Sequence, residues 1–369
     1  MYDNMKIGLV SLTPSHYRKL IYLLMQEQMQ CEFVFGRGYT SVKSIDLSIF
    51  NKAVEVPKLP LGLGGWYKMP GALKEMKKYD VVINDMGIMC LTSWLFLLKA
   101  KFRNQKVYHW DHGWYGREGF VKKWMKRLYF GLADGTFVYG NYARNLMIKN
   151  GFNGGKLHVI HNSLDYDFQL KIREKVERTG IFEKHFGNSN PVLCFIGRLT
   201  PVKKLDQIID ALSILKNRGL KCNLVLIGEG PEYNRLLDKV ERLDLHKNIW
   251  FYGACYEEMV NAELIYNADL CVAPGNIGLT AMHAMMFGCP CISHNDFPWQ
   301  MPEFEAIKQG ITGDFFRHND ITSLANCISR WFDQHAGKRE EVRAECYKEI
   351  DENWNPHKQI EIIKKVIYG

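Results

Sequence analysis

The strongest constraint on the fold is an alternation. Short apolar runs are each followed by a longer segment with helical spacing, and the series occurs twice along the 369 residues. In the first half, strands are expected at 6–12, 31–37, 81–84, 106–110, 135–139 and 157–161, with helices between them, as at 17–29 and 91–101. Several runs are apolar at consecutive positions, as parallel strands covered on both faces must be. The pattern weakens after Asn162. Residues 166–190 are highly charged, then polar, and end at Pro191, which reads as a linker. A second series follows, with strands expected at 192–197, 223–228, 249–252, 270–273, 291–293 and 314–316. Its helices are expected at 206–218, 232–243, 280–287 and 321–334. The fold class is therefore α/β, with two Rossmann-like doubly wound parallel-sheet domains at 1–165 and 191–337. The helical stretch 338–369 is expected to cross back to the first domain.

Composition removes several function classes. Hydrophobic residues at 47% and charged residues at 24% exclude a long disordered chain. The 48 basic against 40 acidic residues suit a phosphate-bearing ligand or an anionic membrane surface. Without zinc-finger spacing or an RNA-binding signature, no nucleic-acid partner is expected. Cys194, Cys222 and Cys271 lie in apolar runs and read as buried free thiols of a reducing compartment. Cys289 and Cys291 lack partners at zinc spacing, so no metal site is expected. The first residues lack a signal-peptide layout. The longest apolar stretch, around 91–98, falls short of the ~20 residues that span a bilayer and reads as a buried helix. A cytoplasmic location is expected, with possible peripheral contact at the inner face of the membrane.

Three strand–loop–helix units carry the chemistry. In FIGRLTPVKKLDQIIDAL, Arg198 and Lys203 bracket a loop that follows Gly197 and opens a helix. Two cations at a strand's C-terminal end beside a helix N-terminus suit a diphosphate. NLVLIGEGPEYNRL repeats the arrangement with Gly228, Gly230 and Pro231, whose small size would let backbone approach a ligand. The third unit, DLCVAPGNIGLTAMHAMMFGCPCISHN, places Gly275 and Gly278 in a loop before a helix opened by Leu279 and Thr280.

On these motifs the chain resembles the family 4 glycosyltransferases of the GT-B fold, over nearly its whole length and most strongly over 191–315. The family's GRL-x-x-x-K matches Gly197 to Lys203, and its GxGP element matches Gly228–Pro231. The resemblance implies two Rossmann-like domains facing a central cleft. It further implies a nucleotide-diphosphate sugar as donor, held by Arg198 and Lys203, and transfer with retention of configuration. One departure stands out. Two family glutamates separated by seven residues correspond to Gly275 and His283. Gly275 has no side chain to place near the donor sugar. His283 either holds the ribose or is an ordinary helix histidine. Glu305, with Gly310, Thr312 and Gly313, matches a later family segment and is a candidate nucleotide contact.

In the first half, KVYHWDHGWYGRE gathers His109, Asp111, His112 and Arg117 at a strand end among aromatic residues, including Trp114. Aromatic faces stack on sugars, and histidine moves protons near neutral pH. His112 best matches the family's sugar-facing histidine, with His109 second; a hydrogen-bonded core histidine is the other reading. The segment SLTPSH, ending at His16, replaces the family's glycine-rich loop, and LGLGGWY follows at 61–67; either could cover the acceptor. HNSLD at 161–165 resembles the family's interdomain element. In GFVKKWMKRLYFGLAD, Lys122, Lys123, Lys126 and Arg127 stand among Phe120, Trp124, Met125 and Leu128. Such a helix either rests on an anionic bilayer or packs its apolar side on the domain core.

The expectation is thus a metal-independent glycosyltransferase without a cofactor, acting on a glycan or lipid-linked acceptor, with His112, Arg198 and Lys203 central. The alternatives are a nucleotide-sugar-binding subunit without catalysis and a nucleotide-sugar epimerase.

Overall fold

The computed structural model describes residues 5–38, 44–62 and 64–369; Leu63, in the 61–67 segment, lies outside them. The first sheet is built from β1 (Ile7–Ser11), β2 (Glu32–Arg37), β3 (Ala53–Pro57), β6 (Val81–Asp85), β7 (Lys106–Asp111), β8 (Gly135–Val138) and β9 (Leu157–Val159). Strands β4 (Leu59–Pro60) and β5 (Tyr67–Lys68) form a separate antiparallel pair. The sheet order is β3-β2-β1-β6-β7-β8-β9, and every neighbouring pair is parallel. Its helices are α1 (Lys19–Met29), α2 (Pro70–Met76), α3 (Leu91–Lys101), α4 (Phe120–Gly131) and α5 (Asn141–Lys149).

Successive strand residues feed opposite cores, which is why the runs read as continuously apolar. Val10, Val34, Val82 and Val107 join Phe96 and Leu97 of α3, Tyr129 and Phe130 of α4 and Met147 of α5 on one face. Leu9, Phe33, Phe35, Ile83 and Trp110 pack on the other face with Tyr22 and Met25 of α1. Strand β3 was not expected. It pairs only with β2, and its Val54 and Glu55 are exposed, so no apolar run marks it.

The second unit, Tyr166–Trp354, carries β10 (Val192–Ile196), β11 (Asn223–Ile227), β12 (Ile249–Gly253), β13 (Leu270–Ala273), β14 (Cys291–His294) and β15 (Gly313–Phe316). These form an all-parallel sheet in the order β12-β11-β10-β13-β14-β15. The region read as a linker instead supplies α6 (Tyr166–Arg173) and α7 (Ile181–Phe186) to this unit. Its charges hid two short amphipathic helices. Ile172 and Phe182 are buried, and Arg173 pairs with Asp351 at 2.9 Å. The remaining helices are α8 (Asp206–Asn217), α9 (Tyr233–Arg242), α10 (Glu258–Asn267), α11 (Leu279–Met286), α12 (Ile321–Gln334) and α13 (Arg339–Asn353).

The C-terminal stretch divides later than expected. α13 stays with the second unit, where Cys346 is fully buried and the Arg343 guanidinium lies 3.7 Å from the Tyr266 ring centre. Only 355–369 belongs to the first unit. There α14 (Pro356–Tyr368) begins with Asn355 as N-cap and Pro356 in the first turn, a helix-start pair that separates it from α13. Ile360, Ile363 and Ile367 of α14 enter the core beside α1. Gln359 fixes the 161–165 segment, donating to the His161 carbonyl at 2.7 Å and accepting from the Ser163 hydroxyl at 2.6 Å.

Candidate active site

In the second unit the chain lays down β10, β11 and β12 in one direction, then returns to the far side of β10 to start β13. The switch point lies between β10 and β13, and such sheets bind ligands outside the strand ends at that point. The loops leaving β10 and β13 are the ones that carry Arg198, Lys203, Gly275 and Gly278.

The glycines serve a purpose that the sequence did not reveal. A Cβ on Gly228 would lie 2.0 Å from the Gly197 carbonyl oxygen, and one on Gly230 would lie 2.2 Å from that of Leu199. A Cβ on Gly275 would lie 2.0 Å from the Val202 oxygen. Close approach is indeed what these residues permit, but to the 197–203 backbone. Three loops are nested around one turn. Hydrogen bonds stitch them, from the Leu199 amide to the Glu229 carbonyl at 2.8 Å and from the Gly275 amide to the Lys203 carbonyl at 3.0 Å. At 275, the position matched to the family's first glutamate, a side chain would meet the backbone of this turn.

Lys203 is largely buried and donates to Asn276 at the carbonyl (2.7 Å) and at Oδ1 (2.9 Å). Burial pushes its pKa down to about 8, opposed by Glu303 and reinforced by the nearby Arg198 charge. Arg198 is exposed. Pro231 is also exposed. Gly278, at φ 52° and ψ −147°, takes a backbone conformation open to glycine and starts α11. Leu279 opens that helix half-buried, whereas the buried Thr280 hydroxyl donates to the Ile196 carbonyl at 2.9 Å and so ties α11 to β10.

His283 is not isolated. Its Nε2 lies 2.8 Å from Glu258 Oε1, which also accepts from Gln169 at 2.6 Å. His283 and its neighbours hold the Glu258 carboxyl below its usual range against the effect of burial. No motif marks this carboxylate, which arrives from α10. Glu303 was likewise missed. It is 1% exposed and electrostatically coupled to Lys203, whereas Glu305, two residues on, is half-buried. The motif spacing selected Glu305, and only the turn at Pro302–Ala306 determines which carboxylate faces inward.

In the first unit the switch point lies between β1 and β6. Ser11, Asp85 and Arg18 meet there: the Asp85 carboxylate accepts from the Ser11 hydroxyl at 2.8 Å and from Arg18 at 2.7 Å. Arg18 also donates to the Tyr139 hydroxyl. His16, exposed, begins the turn that delivers Arg18. One strand further along, Asp111 ends β7 and accepts from the Gly113 amide at 2.8 Å. Burial pushes its pKa up to about 6. His112 follows, its ring 4.8 Å from that of Tyr139 and 6.0 Å from that of Tyr115. Burial, aided by Arg18 and Lys126, pushes its pKa down to about 4, so the imidazole is neutral at pH 7. Its Nδ1 is buried and has no hydrogen-bond partner among the described residues.

Two expected acceptor-side residues belong to the core instead. His109 is fully buried, with Nδ1 3.3 Å from Asn84 and Nε2 3.2 Å from the Tyr129 carbonyl. Trp114 is 2% exposed and packs edge-on against Phe152. Neither can present a face to a sugar. Both lie in the stretch whose residue types suggested a site, but alternation along β7 turns His109 inward and the Gly113 turn does the same to Trp114.

The family described as Glycosyl transferases group 1 matches residues 177–349, and Glycosyltransferase Family 4 matches residues 37–168. EpsD of Bacillus subtilis, named as a glycosyltransferase, is 23% identical over 85% of this chain and 83% of its own. A GDP-mannose-dependent alpha-(1-6)-phosphatidylinositol dimannoside mannosyltransferase of Mycobacterium tuberculosis is 35% identical over 33% of this chain and 32% of its own. Among solved structures, Anabaena Alr3699/HepE in complex with UDP superimposes with a TM-score of 0.74 at 15% identity, covering 99% of this chain and 100% of that one. With two doubly wound sheets, the paired family matches and a cationic loop at the second switch point, the chain belongs to the family 4 glycosyltransferases of the GT-B fold.

Proposed function

We propose that the protein transfers a sugar from a nucleoside-diphosphate sugar to a glycan or lipid-linked acceptor, with retention and without a metal ion, in surface-polysaccharide or glycan assembly. The observation that carries this reading is the nest of three loops around Arg198 and Lys203 at the switch point of the second sheet. Departure of a nucleoside diphosphate builds negative charge on its oxygens. Arg198, Lys203 and the amides that open α11 at Gly278–Thr280 supply preorganised positive charge for it. These cations do the work a divalent ion would otherwise do. Glu303 keeps Lys203 charged against its burial. His283 and Glu258 together bring a carboxylate to the helix position where the family has its second glutamate, and they are the candidates for the ribose hydroxyls. Retention is supported by family membership. Ten free thiols, nine of them buried, suit a cytoplasmic enzyme.

The test is nucleoside-diphosphate release from a panel of UDP- and GDP-sugars, with and without acceptors and with a chelator. Release that requires acceptor, survives chelation and gives a product with the donor's anomeric configuration supports the proposal. Sugar conversion without acceptor would establish an epimerase. Binding without turnover would establish a subunit that lost catalysis.

On the acceptor side, the neutral His112 imidazole can exchange a hydrogen bond with a sugar hydroxyl. His112→Ala is expected to lower kcat by at least about 10-fold while donor KM stays within about 3-fold, because the lost contact is made at the reacting sugar. Steady-state kinetics check this, and a wild-type kcat would remove His112 from the catalytic set.

A further inference from the structure

The helix at 120–131 buries Tyr129 and Phe130 in the core, yet it also buries a lysine and leaves several large apolar side chains in solvent. Lys126, in its middle, is 5% exposed, donating to Glu118 at 2.8 Å and to the Gly113 carbonyl at 2.6 Å. Phe120, Val121, Trp124 and Leu128 are exposed, Phe120 at 85%. α4 therefore packs only part of its apolar surface, Tyr129 and Phe130, on the core and leaves these four residues uncovered. α3 behaves likewise: Leu91, Leu95 and Leu98, with Phe102 just beyond the helix, are exposed at helical spacing. The two helices are neighbours on the same face of the sheet. Trp94 of α3 lies 5.1 Å from Tyr129 of α4, ring to ring, and the Ser93 and Tyr129 hydroxyls are 2.7 Å apart. Eight of the eighteen exposed large hydrophobic residues among those described fall within 91–131.

The charge of that segment is equally uneven. It holds nine basic residues and two acidic ones in a chain whose net charge is +8. Glu118 is consumed by Lys126, and Asp111 is half-buried, while Lys99, Arg103, Lys122 and Lys123 are exposed. Apolar patches of this concentration mark interaction sites. Exposed aromatics rimmed by lysines suit the boundary between headgroups and acyl chains of an anionic bilayer. Two copies of this chain meeting here would instead oppose like charges.

We propose that α3 and α4 form a docking face for an anionic lipid bilayer. The stripe inserts Phe120, Val121, Trp124 and the α3 leucines at the interface, and the lysines hold the lipid phosphates. Lys126 links this face to the His112 loop through the Gly113 carbonyl, so the helix that meets the lipid also fixes the segment carrying the candidate catalytic histidine.

The proposal goes beyond the transfer reading and is tested without turnover. The purified chain is sedimented with vesicles of phosphatidylcholine, with and without phosphatidylglycerol, at low and high salt. Binding is expected to the anionic vesicles and to weaken with salt. Phe120→Glu/Trp124→Glu and Lys122→Glu/Lys123→Glu are each expected to weaken it by at least about 10-fold, with unchanged thermal melting because all four side chains are exposed. Absence of binding, equal binding to neutral and anionic vesicles, or variants that bind as the wild type would overturn it. So would sedimentation analysis showing a dimer that Trp124→Glu dissociates, with no vesicle binding.

Discussion

Lys203→Ala lowers kcat/KM for the donor by about 10- to 100-fold, since one charge-assisted hydrogen bond to a phosphate is worth roughly 1.5–3 kcal/mol. The variant also releases Asn276, whose carbonyl and side chain both lean on the ammonium. The same residue predicts a pH profile. Its pKa is pushed down to about 8, so in the free enzyme the ammonium is charged below that pH and lost as pH rises through it. Donor kcat/KM, which reports free-enzyme ionisations, is expected to fall on the alkaline side with a midpoint near pH 8. Lys203→Arg moves that limb to higher pH, because a guanidinium stays protonated. An alkaline limb that is unchanged in Lys203→Arg would show that the ammonium does not meet the diphosphate.

Restoring the family's glutamate at position 275 is expected to harm the protein. The new Cβ would lie 2.0 Å from the Val202 carbonyl and 2.7 Å from the Lys203 Cα, both backbone, so the Gly275 loop or the 197–203 turn must move. Overpacking in a well-packed region costs typically 1–3 kcal/mol, and a backbone clash belongs at or above the top of that range. For Gly275→Glu the expected loss is ~3 kcal/mol, or about 6–12 °C in the melting of the second unit. Donor binding, followed by calorimetry, is expected to weaken by more than about 10-fold as Lys203 is displaced. Gly275→Ala separates sterics from charge, because it carries the same Cβ and no carboxylate, and it should reproduce most of the loss. A gain of activity in Gly275→Glu would sink the nested-loop account and favour a chain that lost catalysis with its carboxylate.

The relatives set the range of donors to test. One solved structure holds UDP, and one relative is named for GDP-mannose, so neither base takes precedence on similarity.

Twelve strands were legible because parallel strands buried on both faces need unbroken apolar runs, and α3 and α12 were legible to the residue. The cationic loop was legible because its chemistry is local: Arg198, Lys203 and the glycines lie within short motifs. Strand β3 escaped because an edge strand meets solvent, and α6 and α7 escaped because they are short and carry charge among their apolar residues.

By itself, then, the sequence determined the two parallel sheets, the order of their elements and the placing of Arg198 and Lys203 in the loop that leaves β10. Only the tertiary structure decided which glycines are fixed by backbone contact, which histidine is core and which is not, that Glu258 meets His283 and Glu303 lies near Lys203, and that α4 buries Lys126 while exposing Phe120 and Trp124. The physical reason is range. Periodicity and turn chemistry act between residues close in the chain, whereas a side chain's partner and its access to solvent depend on segments distant in the chain, as when Gln359 closes on the His161 carbonyl across 198 positions.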